Sequence, residues 1–311
     1  MQKTYPGGTQ ALLPLDLAVR EGEFVTLLGP SGCGKSTLLK LVAGLLPPSA
    51  GRVLLWGQPL HEAAPAQRGL GFVFQDATLM PWASTRANVR LPLDLAGVPR
   101  IEADARVRGA LAGVGLVRFE AALPRELSGG MQMRVSIARS LVTEPALLLM
   151  DEPFAALDEI TRNRLDADLL ALRQSRGLTV LFVTHSIHEA VFLSSRVVVM
   201  AARPGRVVAD VSIAEPYPRG PDFRVSTAFS QHARRLHDIL LHASGDTEQM
   251  LRVREHSSGC GRRCWPACCW ACGRVRCRRW TCQPTWCPVR GVWRRRWWPT
   301  PTCCSPPWPS R

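Results

Sequence analysis

The chain has 311 residues and a formal charge of +14, from 39 Lys and Arg against 25 Asp and Glu. Residues 257–311 contain 11 Arg, ten of the 11 Cys and no acidic residue, so residues 1–256 carry +3 and a single Cys. This division excludes a disulfide scaffold or a basic nucleic-acid binder as a description of the whole chain.

Short apolar runs alternate with helical patterns, which predicts an α/β fold with a largely parallel sheet. The predicted strands are Phe24–Leu28, Arg52–Trp56, Gly71–Phe74, Ala146–Met150, Thr179–Val183 and Arg196–Met200. The predicted helices are Ser36–Leu46, Met131–Leu141, Glu159–Gln174 and Ile187–Leu193. Residues 76–127 are rich in Arg, Ala and Leu with interspersed Pro, and they predict a mostly helical insertion.

The composition changes after the predicted sheet. Glu215–Arg224 is typical of a Pro/Gly linker, and apolar residues from Val225 to Leu240 recur at helical spacing, which predicts a final amphipathic helix. We therefore expect an α/β domain over residues 1–244, with a helical subdomain over residues 76–140, and a second linker over residues 245–256.

A phosphate-binding loop is predicted between the first strand and the first helix. The pattern G-x-x-x-x-G-K-[ST] is matched by Gly29, Pro30, Ser31, Gly32, Cys33, Gly34, Lys35 and Ser36, followed by Thr37. Glycines let the backbone amides turn inward, and the helix N-terminus favours phosphate. Lys35 would reach the β- and γ-phosphates and Ser36 would bind Mg²⁺. Cys33 is interpreted as a small filler rather than a redox residue.

Two adjacent carboxylates, Asp151 and Glu152, end the predicted strand Ala146–Met150. Open α/β sheets bind ligands at the carboxyl ends of their strands, and successive side chains on a strand diverge. Asp151 is therefore expected to hold Mg²⁺ and Glu152 to polarise the water that attacks the γ-phosphate. Such a pair alone can be a solvated strand end; together with the phosphate loop it indicates nucleotide hydrolysis.

These motifs resemble those of the ATP-binding-cassette (ABC) ATPases. The deciding element is a segment similar to the ABC signature, formed by Leu127, Ser128, Gly129, Gly130 and Met131. The resemblance implies a P-loop ATPase domain with a mixed or parallel core sheet and a helical insertion. It also implies a head-to-tail homodimer that holds two ATP molecules, in which each signature contacts the ATP bound by the other protomer.

The resemblance assigns further roles residue by residue. Gln75 looks like the glutamine that links Mg²⁺ and the γ-phosphate to the helical insertion, Asp158 belongs to the segment that crosses the dimer interface, and His185 looks like the γ-phosphate histidine. Tyr5 is a candidate for stacking on adenine, or equally an exposed turn residue. The sequence departs from the family at two points: only four residues precede Tyr5, and Met131 replaces the commoner Gln.

Three segments are similar to nitrate, sulfonate and taurine importer ATPases: Val73–Trp82, Phe182–Leu193 and Val199–Gly205. This similarity implies a transmembrane permease as partner and, indirectly, a periplasmic or extracellular solute-binding protein. No apolar run approaches the roughly 20 residues of a membrane span, and Met1–Tyr5 does not resemble a signal peptide. We therefore expect a peripheral protein on the cytoplasmic face of the inner membrane. The apolar residues Leu79–Trp82 either face the permease or pack the insertion.

Two alternatives remain at this point. A non-transport ABC ATPase is disfavoured because there is neither a second cassette nor a long coiled-coil insertion. Nucleic-acid binding would depend on residues 257–311 alone, and none is expected. This segment lacks Leu, Ile, Phe and acidic residues, which predicts disorder, and its residues are all encoded by G/C-rich codons, so we interpret it as a possible frameshift product. Cys269 and Cys272 lack a matched second pair for zinc.

Overall fold

The candidate site residues lie at the strand ends of a central sheet. A computed structural model describes residues 1–62 and 68–259 of the chain, with side chains through residue 243. The strands of this sheet are β3 (Phe24–Leu28), β6 (Leu70–Val73), β7 (Leu147–Asp151), β8 (Thr179–Thr184), β9 (Arg196–Ala201) and β10 (Arg206–Ser212). Their order is β10-β9-β3-β8-β7-β6, parallel except for the antiparallel β10. Every residue of β3, β7 and β8 is buried, as expected for strands covered on both faces.

The predicted strand Arg52–Trp56 is wrong in extent and in place. Only β4 (Leu54–Leu55) pairs there, and its partner is β5 (Gln58–Pro59) in a separate ribbon. The two residues between them, Trp56 and Gly57, both have positive φ, of 53° and 81°. This is the backbone of a tight hairpin turn, so the chain reverses instead of entering the sheet.

Two further antiparallel elements were not predicted. Near the N-terminus, β1 (Lys3–Thr4) pairs with β2 (Gln10–Leu12), and Tyr5 directly follows β1. Later in the chain, β10 forms the edge of the central sheet beside β9. Its residues alternate in exposure over only part of its length. Such short or weakly alternating segments give little periodic signal.

Helices cover the sheet and form the insertion. They are α1 (Lys35–Val42), α2 (Thr85–Leu95), α3 (Arg100–Gly113), α4 (Gly129–Leu141), α5 (Glu159–Arg176), α6 (Ile187–Leu193) and α7 (Thr227–Gly259). The mostly helical insertion consists of α2, α3 and two short 3₁₀ turns. Helix α4 begins two residues before the predicted start, because the Ser128 hydroxyl accepts the Met131 amide and caps the helix there.

The linker prediction for Glu215–Arg224 is wrong. Tyr217 Oη donates to Leu193 O at 2.7 Å, and Arg224 Nη2 lies 2.6 Å from Asp166 Oδ2. Arg219 is 6 % exposed and donates to five backbone carbonyls in and after α6. Pro and Gly here shape a packed segment that fixes α6 against α5 and the sheet.

Helix α7 confirms the final helical pattern and continues to Gly259, across the residues 245–256 that were expected to form a linker. The described residues lie in one unit, Met1–Cys260. Residues 257–259, predicted to begin a disordered tail, are instead the last residues of α7. The rest of that prediction, a disordered and frameshift-derived tail over residues 260–311 with Cys269 and Cys272, lies outside the described residues. The division of the chain at residues 244 and 256 stays a prediction.

Candidate functional site

The loop between β3 and α1 can approach its neighbours closely only because of its glycines. A Cβ on Gly29 would lie 2.5 Å from Met200 O, and one on Gly34 would lie 2.6 Å from Leu12 Cδ2. Gly34 also has a φ of 89°, in the left-handed region that favours glycine. The glycine spacing of the sequence motif thus corresponds to two physical constraints, one from β9 and one from β2.

Lys35 is the first residue of α1 and is almost fully buried. Its ammonium donates to Gly29 O at 2.8 Å and Pro30 O at 3.0 Å, and it lies 3.5 Å from Glu152 Oε1. The first turn of α1 contains no acidic residue, and its N-cap Gly34 has no side chain. The start of α1 therefore presents backbone amides and the Lys35 ammonium on the same side of the loop. This arrangement is suited to binding an anionic phosphate.

The expected magnesium ligands meet across two elements. Ser36 Oγ donates to Asp151 Oδ1 at 2.9 Å, which joins the start of α1 to the end of β7. Burial raises the pKa of Asp151, and the hydrogen bond from Ser36 opposes that shift. A hydroxyl and a carboxylate are hard oxygen donors of the kind that Mg²⁺ prefers. Gln75 lies in the same cleft and could supply a third oxygen.

The Glu152 carboxylate lies between Lys35 and His185. Its Oε1 faces Lys35, and its Oε2 lies 3.0 Å from His185 Nδ1. Its backbone has a φ of 44°, rare for a residue with a side chain, and its amide donates to Val183 O at 2.9 Å. This strained turn aims the carboxylate away from β7 and toward β8, whose end carries His185.

The phosphate loop, Gln75 and Glu152 border one cleft of about 680 Å³, whereas Asp151 and His185 lie behind its lining residues Ser36 and Glu152, which they contact. Its lining includes Lys35, Ser36, Gln75 and Glu152, as expected, and also six residues that sequence reasoning missed: Thr9, Gln10, Ala11, Arg203, Pro204 and Gly205. Gly205 is placed so tightly that an added Cβ would collide with Cys33 O and lie 2.6 Å from Ala11 O. The resemblance of Val199–Gly205 to importer ATPases was the one sequence signal near this segment.

Two of the candidate residues, Tyr5 and Cys33, do not line the cleft. Tyr5, 36 % exposed, has its hydroxyl 3.3 Å from Thr37 Oγ1, with Lys3 Nζ 5.6 Å from its ring centroid. It is thus beside the phosphate loop but not part of the cleft lining. Cys33 is a buried free thiol whose pKa is raised by burial, in keeping with its interpretation as a filler.

The signature-like segment lies at the start of α4, outside the cleft lining of its own chain. Ser128 and Gly129 are exposed, whereas Gly130 is buried and leaves no room for a Cβ, which would lie 2.8 Å from Thr161 Cγ2. Asp158 caps α5 by accepting the Thr161 amide at 2.9 Å, and this bond lowers its pKa. Ser128, Gly129 and Asp158 are therefore exposed at two neighbouring helix starts.

Comparison with known proteins identifies the family. The family description "ABC transporter" matches residues 12–155. The taurine import ATP-binding protein TauB of Rhizobium johnstonii is 45% identical over 246 residues, which is 78% of this chain and 93% of that protein. The chain belongs to the ABC ATPases. The aliphatic sulfonates import ATP-binding protein SsuB of Bacillus cereus is another relative of this ABC ATPase, 41% identical over 213 residues, or 68% and 82% of the two chains.

Solved structures agree with the ABC ATPase fold. CbiO1 from Clostridium perfringens, part of an ABC transporter complex, has a TM-score of 0.63 and 32% identity, covering 68% of this chain and 86% of its own. A dimeric ATP-binding cassette bound to ADP and Pi has a TM-score of 0.62 and 34% identity, covering 69% and 97%. In the part of this ABC ATPase that the structure describes, no helix is both long and apolar enough to cross a membrane.

Proposed function

We propose that the cleft binds ATP with Mg²⁺ and hydrolyses it as the motor of a small-solute importer, with Glu152 as the base. The observation that carries this proposal is the position of the Glu152 carboxylate, 3.5 Å from Lys35 and 3.0 Å from His185. A base must reach the proton that it removes, and neighbouring cationic or donor groups must stabilise the charge that develops on phosphate. Glu152 is the carboxylate that this arrangement favours.

The binding roles follow from the same geometry. Lys35 would neutralise the β- and γ-phosphates, and the amides from Gly29 to Thr37 would surround them. His185 would donate to the γ-phosphate while Glu152 holds its ring in place through Nδ1. Tyr5 would stack on adenine from its position beside Thr37. Arg203 and Gly205 would border the nucleotide from the segment that packs beside the phosphate loop.

The donor set fits Mg²⁺, because the Ser36 hydroxyl and the Asp151 carboxylate already lie in contact at the edge of the cleft. Ser36, Asp151 and Gln75 would hold the ion, which when bound neutralises phosphate charge. Asp151 orients the Ser36 hydroxyl before the ion arrives. Its ionised form is required for this role, so proton binding would compete with the cation.

A homodimer is proposed because one chain presents its signature away from its own cleft. Leu127, Ser128, Gly129, Gly130 and Met131 would contact the ATP held by the partner, and Asp158 would lie at the same interface. The solved relative bound to ADP and Pi is a dimer. The free amides at the start of α4 are a second phosphate-binding feature, distinct from that at α1.

The import role is supported by relatives named for taurine and aliphatic sulfonate import. We propose a separate transmembrane permease as partner, a solute-binding protein as an indirect one, and a sulfonate-like small solute as cargo. The exposed Trp82, beside the partly buried Leu79 and Met80, is the proposed contact with the permease. The protein would be peripheral at the cytoplasmic face of the inner membrane.

Glu152→Gln tests the proposal directly. The variant should bind Mg-ATP, form a stable dimer and lose turnover by about 10²-fold or more, the range expected when a general base is removed. Size-exclusion chromatography with and without Mg-ATP measures the dimer, and phosphate release measures turnover. Lys35→Ala serves as the matched comparison, since it should lose nucleotide binding as well. A Glu152→Gln protein that hydrolyses ATP at the wild-type rate would contradict the assignment.

A further inference from the structure

A single guanidinium holds the loop that leads to Asp158. Arg162, in the first turn of α5, donates from Nη2 to Leu157 O at 2.7 Å and from Nε to Phe154 O at 3.3 Å. These two carbonyls mark the ends of residues 154–157, which lie between Glu152, the residue after β7, and the helix cap Asp158. The conformation of this loop thus depends on where Arg162 is held.

Arg162 is in turn held by Glu189 of α6. Arg162 Nε lies 3.4 Å from Glu189 Oε1, while the other carboxylate oxygen of Glu189 accepts the Thr184 hydroxyl in a short hydrogen bond. Thr184 Oγ1 also accepts the Ser186 amide at 3.0 Å. Thr184 and Ser186 flank His185, so the loop that presents His185 is fixed by the same carboxylate that fixes Arg162.

A purely local role for Glu189 is not what the structure shows. The spacing Ser186-x-x-Glu189 is that of a capping box, in which the Glu side chain would bond the backbone amide of the capping Ser. Here the Ser186 hydroxyl accepts the Glu189 amide, but the Ser186 amide bonds Thr184 instead. The carboxylate, only 4 % exposed, is directed to Arg162 and Thr184. It joins two loops rather than closing its own helix.

We infer that Arg162 and Glu189 are positioning residues that link the 154–158 loop to the His185 loop within one chain. This inference rests on the proposed function, in which Asp158 lies at the dimer interface and His185 contacts the γ-phosphate. Movement of the 154–158 loop when two protomers close is then passed through Arg162 and Glu189 to Thr184 and His185. The conformation of the 154–158 loop would then help to set the position of His185, which couples dimer closure to the contact with the γ-phosphate.

The test uses the full chain and four variants: Arg162→Gln, Glu189→Gln, the double variant, and Arg224→Gln as control. Glu189→Gln keeps an oxygen that can accept the Thr184 hydroxyl and replaces the charged oxygen that faces Arg162 with an NH₂ group. Arg224 forms a comparably buried ion pair with Asp166 but bonds neither loop. Its charge also acts on Glu189, so this control reports the loss of a neighbouring buried ion pair that bonds neither loop.

Each single variant should lower kcat by about tenfold with the Kd for Mg-ATP changed less than about twofold, since small displacements of a positioned group mainly affect the chemical step. The double variant should be no slower than the slower single variant, because the two residues act as one link. Arg224→Gln should lower the Tm with kcat unchanged. Arg162→Lys, which keeps the charge but not the two-carbonyl contact, should recover only part of kcat.

Three outcomes overturn the inference. The first is a normal kcat in both single variants, the second is multiplicative losses in the double variant, and the third is an equal loss of kcat in Arg224→Gln. If the wild type hydrolyses ATP and Glu152→Gln does not, any of these affects the link alone. If the wild-type protein fails to hydrolyse ATP, both the proposed function and the link are overturned.

Discussion

Ser36 and Asp151 are joined by a 2.9 Å hydrogen bond between the start of α1 and the end of β7. The two residues are 115 positions apart in the chain, and the parallel arrangement of β3, β8 and β7 brings them together. The hydroxyl and the carboxylate are thus oriented before any cation binds. The affinity for Mg²⁺ should depend on this pair as a unit.

Replacing Ser36 with Ala should raise the Mg²⁺ concentration for half-maximal ATPase activity by about tenfold or more. Mutations of residues that merely support metal ligands already lower metal affinity by about that factor. Because burial raises the pKa of Asp151, protons should compete and the Mg²⁺ requirement should increase as the pH falls. Activity is measured in Mg²⁺ titrations at several pH values. An unchanged Mg²⁺ requirement in Ser36→Ala would exclude the assigned site.

Gly205→Ala should weaken nucleotide binding, because the added Cβ would collide with Cys33 O and force the segment after β9 away from the phosphate loop. Overpacking of this kind costs about 1–3 kcal/mol, so we expect a Kd for Mg-ATP raised about tenfold or more. Gly220→Ala is the matched control, since nothing lies within 4 Å of its added Cβ. Equal affinities in the two variants would contradict the proposed contact.

Asp166 should give a pH-dependent contribution to stability. Burial raises its pKa to about 7, with Glu189 adding to the shift and Arg224 and Arg162 opposing it. Because the folded pKa exceeds the unfolded value of about 3.9, the folded state binds the extra proton between these values, and stability falls as the pH rises. The stabilising contribution is complete below pH 4 and is lost through pH 7.

Asp166→Asn removes this titration. The free energy of unfolding of the wild type, relative to that of the variant, should therefore fall as the pH rises from 5 to 7, by at most about 1.4 kcal/mol per pH unit. Urea unfolding at several pH values measures it. A difference that increases with pH would show that Asp166 stays ionised in the folded protein.

Trp82 should matter for coupling to the permease. Its side chain is 78 % exposed, which is unusual for an aromatic residue unless a partner covers it. Trp82→Ala should reduce the ratio of turnover with the permease to turnover without it by about fivefold or more, as is typical when an aromatic interface anchor is removed. Ile101→Ala, which removes another exposed apolar side chain, is the control. A preserved ratio would place the permease contact elsewhere.

The central part of the fold could be predicted because its signals are local. The phosphate loop is a continuous motif, and β3, β7 and β8 are buried apolar runs that end in chemically distinctive residues. The contribution of Arg203 and Gly205 to the cleft could not be predicted, because it depends on β9 lying next to β3 in the sheet. No local pattern encodes that neighbourhood.

The errors have equally physical causes. Trp56 adopts a positive φ that its residue type disfavours, so the hairpin at Trp56–Gly57 has no standard sequence signal. Glu215–Arg224 contains the residues of a flexible segment, yet it packs because Arg219 donates to carbonyls of residues 191–194, about 25 residues earlier in the chain, as well as to two nearby ones. The sequence spacing of Ser186 and Glu189 indicates a local cap, and only the fold shows that Arg162 is the partner.

Arg219 also limits how this region can vary. Two nitrogens of its planar guanidinium, Nη1 and Nη2, donate hydrogen bonds to the backbone carbonyls of Val191, Phe192, Ser194, Ile213 and Glu215. A lysine ammonium has only three N–H donors, all on one nitrogen, and would leave some of these carbonyls without a hydrogen bond in the protein interior. An exchange of one basic residue for another, harmless on most surfaces, would here loosen the helix that begins beside His185.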